Sequence, residues 1–109
     1  MTDKIVVLST CAAEADAQRL ARALLDTRLA ACVNVVPGVR SFYHWKGEIA
    51  SDAEFMLLIK TSRDLFPALR AAVEKLHPYE VPELLALPIL DGAENYLTWL
   101  QANLRGAAQ

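Results

Sequence analysis

The chain has 109 residues, 54% of them hydrophobic, with 11 Lys and Arg against 13 Asp and Glu and a formal net charge of −2. That is the length of one compact domain, residues 1–109, with a core of its own, and scattered basic residues on a weakly acidic chain leave no electrostatic footprint for a nucleic acid. No apolar run approaches the length of a membrane span, the run at 5–8 is too short for a signal-peptide core, and two cysteines, Cys11 and Cys32, form neither a disulfide framework nor a CxxC pair, so the expected address is the cytoplasm, with no membrane partner.

In chain order, the apolar and β-branched run 5–8 stops at Ser9 and Thr10 and reads as a strand buried on both faces. Residues 13–29 repeat Leu20, Leu24, Leu25 and Leu29 at helical spacing, with Glu14 and Asp16 early and Arg22 and Arg28 late, which suits the helix dipole. Residues 32–45 are rich in Val, Tyr, Phe and Trp, Lys46-Gly47-Glu48 turns the chain, and 54–60 is a second dense apolar run, which together predict a hairpin. Ser62 can cap a helix over 62–77, with Pro67 in its first turn. A fourth strand is expected over 81–90 and a short closing helix over 93–104.

The order β-α-β-β-α-β plus a terminal helix is an α+β plan, the ferredoxin-like split βαβ, whose right-handed crossovers give strand order 4-1-3-2. Pro37, Pro82 and Pro88 fall in the second and fourth strands, the two edges of that order, where prolines in sheets belong. The hairpin strands exceed the usual ~5–6 residues. Their tips should therefore project as an arm carrying Phe42, Tyr43 and Trp45, aromatics that a single copy can hardly bury and that suit a subunit interface.

Several stretches together resemble the CutA family of divalent-cation tolerance proteins: Arg28-Leu29-Ala30-Ala31-Cys32-Val33-Asn34, the Ser41-x-Tyr43-x-Trp45-x-Gly47 hairpin, Glu54 with Lys60-Thr61, the segment His77-Pro78-Tyr79-Glu80-Val81-Pro82-Glu83, and Tyr96-Leu97-x-Trp99. The resemblance implies a homotrimer of ferredoxin-like subunits, similar to P-II-type signalling proteins, with hairpins pairing across subunits. It also implies an association with tolerance to copper and other divalent ions, and no accepted catalytic activity. Two positions depart from the family pattern: Glu48 stands where a Lys usually follows the hairpin glycine, and Ala12 where a proline usually follows Thr-Cys.

In the expected order the fourth strand begins beside the end of the first, which places His77, Tyr79 and Glu80 near Ser9, Thr10 and Cys11. A thiol, an imidazole and a carboxylate suit a soft or borderline divalent ion such as Cu(II), so Cys11, His77 and Glu80 form a candidate metal set, joined by Cys32 only from a neighbouring subunit because it starts the second strand at the far end of the sheet. No cofactor is obligatory. Each residue also has a plainer reading: His77 in the last turn of a helix can bond free carbonyls, both cysteines can be small buried hydrophobes, and Tyr79 and Glu80 can be interface hydrogen bonders. Glu54 and Lys60, on one face of one strand, can line an intersubunit cleft with Tyr79, Tyr96 and Trp99, or form an ion pair, while Tyr96 and Trp99 can instead pack the last helix onto the sheet. A P-II-like sensor of a small metabolite or nucleotide is the alternative function, although no phosphate-cradling loop is present. An enzyme with His77 as general base lacks a nucleophile and an oxyanion site, so no enzymatic activity is expected.

Overall fold

The computed structural model describes residues 2–106. Its elements are β1 (Lys4–Cys11), α1 (Glu14–Asp26), β2 (Cys32–Trp45), β3 (Glu48–Ser62), a 3-10 turn (Arg63–Leu65), α2 (Phe66–Leu76), β4 (Leu85–Pro88) and α3 (Glu94–Ala102). The strands form one sheet in the order β2-β3-β1-β4, antiparallel at every junction. Pro37 lies in β2 and Pro88 in β4, so both sit on edges where a missing N–H costs no ladder bond.

Side chains alternate between the two faces of a strand. Ile5 and Val7 of β1, Leu57 and Ile59 of β3, Leu20 and Leu24 of α1, and Leu69 and Val73 of α2 form the core, so α1 and α2 cover the odd-numbered face of β1 and β3. Helix α1 earns its place by burying Ala17, Leu20, Ala21 and Leu24 along one stripe. It ends at Asp26 instead of running on to Leu29: the Thr27 hydroxyl bonds the Ala23 carbonyl at 2.8 Å, and Arg28 takes a left-handed φ of 57° that stops helical propagation. Ser62 does not cap the second helix, because its hydroxyl donates to the Asp64 carboxylate at 2.8 Å and a 3-10 turn intervenes, which leaves Pro67 in the first turn of α2. Helix α3 closes one end of the sheet, packing Leu100 and Leu104 on Ala31 and Leu65, while the Lys4 ammonium donates to Gln101 Oε1 at 2.7 Å.

Among the described residues no helix covers the opposite face of the sheet. Register puts Val6, Leu8, Val36, Met56, Leu58, Leu85 and Leu87 on it, all half-buried or exposed. It runs into the β2–β3 arm, which lengthens the molecule to 48 Å against 26 and 22 Å in the other directions. Lys46 (φ 50°) and Gly47 (φ 79°) turn the arm, both left-handed as a tight two-residue hairpin loop requires. Between Val36 and Val39 the register shifts: Val36 pairs with Met56 and Val39 with Glu54, so β2 carries one extra residue. Gly38, at φ 75°, absorbs the kink. This bulge swaps the faces of β2, placing Tyr43 and Trp45 on the side continuous with the open face and Phe42 and His44 on the other.

The fourth strand is shorter than the expected 81–90. Residues 78–81 bend, Pro82 follows, and ladder pairing with β1 begins only at Leu85. Pro78 and Pro82 lack the donors a ladder needs, so this connection is held by side chains instead.

Candidate functional site

The end of β1, the middle of β3 and the end of α2 converge at one point. Cys11 pairs in register with Phe55, next to Glu54, and α2 delivers His77 as its C-cap, with backbone φ −73° and ψ 136°. The residue before a proline disfavours helical geometry, so His77-Pro78 ends the helix there. The His77 N–H still donates to the Val73 carbonyl at 2.8 Å. Its ring is buried, and it bonds across the fold instead of capping the carbonyls of its own helix.

Nε2 of that ring lies 2.7 Å from the Thr10 carbonyl oxygen and 3.5 Å from Cys11 Sγ, and Nδ1 accepts the Tyr79 N–H at 3.0 Å. The Tyr79 ring tilts against the imidazole at 4.7 Å between centroids, and its hydroxyl donates to Glu54 Oε2 at 2.7 Å. Glu54 is only 8% exposed. Burial, then the hydrogen bond to and charge of Glu54, hold the Tyr79 phenol well above its ordinary range. Burial, then the charges of Asp16 and Glu54, push the Cys11 thiol up from 9.0 to about 11, so it is protonated at neutral pH. The neighbouring Ser9 hydroxyl is fully buried without a side-chain partner.

Of the three expected metal ligands, the fold brings Cys11 and His77 together and leaves Glu80 out. Tyr79 takes the inward place toward Glu54, and after the bend Glu80 is exposed, lining a surface groove with Phe66, Arg70, Glu74, Val81, Pro82 and Leu84. Among the described residues no group of three His, Cys, Asp or Glu side chains could hold a metal ion. Cys32 lies at the other end of the sheet, opposite Lys60, and both cysteines are free.

Within one chain, the expected cleft residues separate into three places. Glu54 and Tyr79 bond to each other. Lys60 donates to Asn34 on the neighbouring strand, and it makes no ion pair with Glu54 because six residues of strand span about 20 Å. Tyr96 and Trp99 stack on each other at 5.7 Å on α3, and at 43% and 46% exposed they do not anchor that helix, a task done by Leu97, Leu100 and Leu104. On the arm, Phe42 is 69% and Trp45 61% exposed, while the Tyr43 hydroxyl donates to Asp52. The swap of faces at Val36–Val39 and the open apolar face were not anticipated, although Pro37-Gly38 inside a strand is a recognisable bulge signal.

Residues 5–103 match the family model of the CutA1 divalent ion tolerance protein. The chain belongs to the CutA1 family. It is 52% identical over 98 residues to the divalent-cation tolerance protein CutA of Thermus thermophilus, covering 90% of this chain and 95% of that one. It is 48% identical over 105 residues to the CutA of Pectobacterium atrosepticum, with 96% of each covered. The solved CutA1 structure from Oryza sativa superposes with a TM-score of 0.92 at 45% identity, covering 94% of each chain. The buried His77–Tyr79–Glu54 cluster and the projecting arm therefore lie within a CutA1 domain.

Proposed function

We propose that this CutA1-family chain acts in divalent-ion tolerance as a homotrimer, its ferredoxin-like subunits joined through the open sheet face and the arm. One observation carries the assembly: an uncovered apolar face that the β2 bulge continues into the aromatics of the arm. Leu85 is 56% and Leu87 46% exposed on that face, and together with Val6, Leu8, Met56 and Leu58 they form the contiguous patch that marks an interface. The arm is apolar on both sides, with Tyr43 and Trp45 on one and Phe42 and Ile49 on the other. A two-fold contact covers one face of a ribbon, whereas a cyclic arrangement that lays each arm between neighbours covers both.

Sedimentation equilibrium tests this reading. The expected mass is three times the 12.0 kDa of the chain, and Leu85→Lys together with Leu87→Lys, both at exposed positions, should release single copies. A 12.0 kDa wild-type species at micromolar concentration rejects the reading. For the tolerance role, cells lacking their own CutA are grown over a series of Cu(II), Zn(II) and Cd(II) concentrations. Rescue by the wild-type chain but not by the double variant is expected, and rescue confined to Cu(II) assigns the copper specificity. A non-catalytic role accords with Cys11, which as a protonated thiol is a poor nucleophile, and two unpaired thiols suit the reducing cytoplasm.

A further inference from the structure

A thiol beside an imidazole, in a family named for divalent ions, is where a metal would be sought. The hydrogen bonds around the ring oppose it. A backbone N–H can only donate, so the bond from Tyr79 fixes Nδ1 as an acceptor; a carbonyl can only accept, so the contact with Thr10 puts the proton on Nε2. Two independent partners thus require the same tautomer and leave neither nitrogen with a free lone pair. Cys11 supplies no ready thiolate either, being wholly buried with two carboxylates nearby. A metal ligand must first be deprotonated, and here that means breaking the Thr10 bond inside the fold, with no third His, Cys, Asp or Glu among the described residues to complete a site.

We infer that Cys11 and His77 are not a metal site in this protein, and that His77 is a positioning residue whose ring turns Tyr79 onto Glu54. The imidazole holds the residue two positions ahead by its N–H, anchors itself to β1 at Thr10, and lies tilted against the Tyr79 ring, so the Tyr79 hydroxyl is delivered to a nearly buried carboxylate on β3. Metal handling by this chain, wherever it occurs, then runs through other groups. The hydrogen bonds that fix the tautomer all lie within one chain and so stand apart from the assembly reading.

The test uses the full chain labelled with ¹⁵N and zinc chloride as the probe. His44, the other of the two histidines, gives a reference signal from the arm. The His77 ring nitrogens are expected to show the Nε2–H pattern before and after one equivalent of Zn(II), with the Tyr79 amide unmoved. A Zn(II)-dependent change in those nitrogens that Cys11→Ser abolishes overturns the inference. So does a sulfur-to-copper charge-transfer band that appears with one equivalent of Cu(II) and is lost in the same variant. Two substitutions test positioning: His77→Asn places an amide oxygen near the position of Nδ1, so Tyr79→Phe should lower the urea midpoint of the His77→Asn chain as it does the wild type, whereas in the His77→Ala chain, where Tyr79 no longer reaches Glu54, Tyr79→Phe should change little. If Tyr79→Phe costs as much in the His77→Ala chain as in the wild type, His77 positions nothing and that half fails.

Discussion

The Glu54 carboxylate is held almost wholly out of water, with the Tyr79 hydroxyl as its hydrogen-bond donor. Removing that donor leaves a buried acceptor short of a partner, so Tyr79→Phe is expected to destabilise by about 1–3 kcal/mol, read as a lower urea midpoint at fixed protein concentration. Adding Glu54→Gln should recover part of that loss, and the coupling in the double-mutant cycle measures the pair. Alkaline pH acts on the same cluster. The Cys11 thiol and the Tyr79 phenol are both raised, so the folded chain keeps protons that the unfolded chain gives up. Stability from these groups is therefore complete below their unfolded values and falls as pH rises, for Cys11 between 9.0 and about 11. Cys11→Ala should flatten the pH dependence of the thermal midpoint across that window, and an unchanged slope would show that the thiol is not responsible.

At the level of elements, β2 is one residue longer than its partner requires, and that residue is why odd-numbered Tyr43 and Trp45 share a face with even-numbered Val36. Deleting Gly38 evens the ladder, with Pro37 opposite Phe55, and leaves Tyr43 opposite Ala50 and Trp45 opposite Glu48 on the open face. The expected result is a folded chain, by far-UV circular dichroism, that still assembles by sedimentation; lost assembly would mean that the kink of the bulge is needed as well as the facing of the arm. Gly38→Ala keeps the bulge but places a Cβ at φ 75°, where the cost is backbone strain of about 1–2 kcal/mol with assembly intact. The connection 77–84 shows a related effect. A strand was expected from Val81, yet two prolines and the His77 tie keep the segment out of the ladder until Leu85, and this bend is also why Glu80 faces solvent while Tyr79 faces Glu54.

For the whole molecule, one chain leaves a sheet face and both sides of a ribbon uncovered, so folding and association should be linked. The thermal midpoint is expected to rise with protein concentration in the wild type and to lose that dependence when Leu85→Lys and Leu87→Lys are combined. A midpoint independent of concentration in the wild type would separate assembly from stability. The mixed α+β composition, the four antiparallel strands and the three helices were legible because Leu20 and Leu24 repeat with the helix period while runs such as 55–59 do not. Lengths were less legible, since β3 reaches from Glu48 to Ser62, well beyond its apolar centre, held by pairing and not by hydrophobicity. Of the candidate site, proximity of Cys11 to His77 and of Glu54 to Tyr79 was within reach of a topological argument. The exclusion of Glu80 was not, because it depends on which way a single side chain leaves the backbone, whereas the separation of Lys60 from Glu54 follows from their six-residue spacing on one strand.

By itself the sequence determined the local outcomes: which helices and strands form and in what order, where prolines confine a strand to an edge, and membership of a family through motifs spread along the chain. Periodicity and backbone chemistry act over a few residues, and the order of residues records them directly. Only the tertiary structure decided that an imidazole which looks free in the chain has both nitrogens occupied, and that one extra residue in β2 joins the aromatics of the arm to an apolar face. Those outcomes turn on the partner a group meets across the fold, and partners tens of residues apart in the chain are chosen by packing in three dimensions.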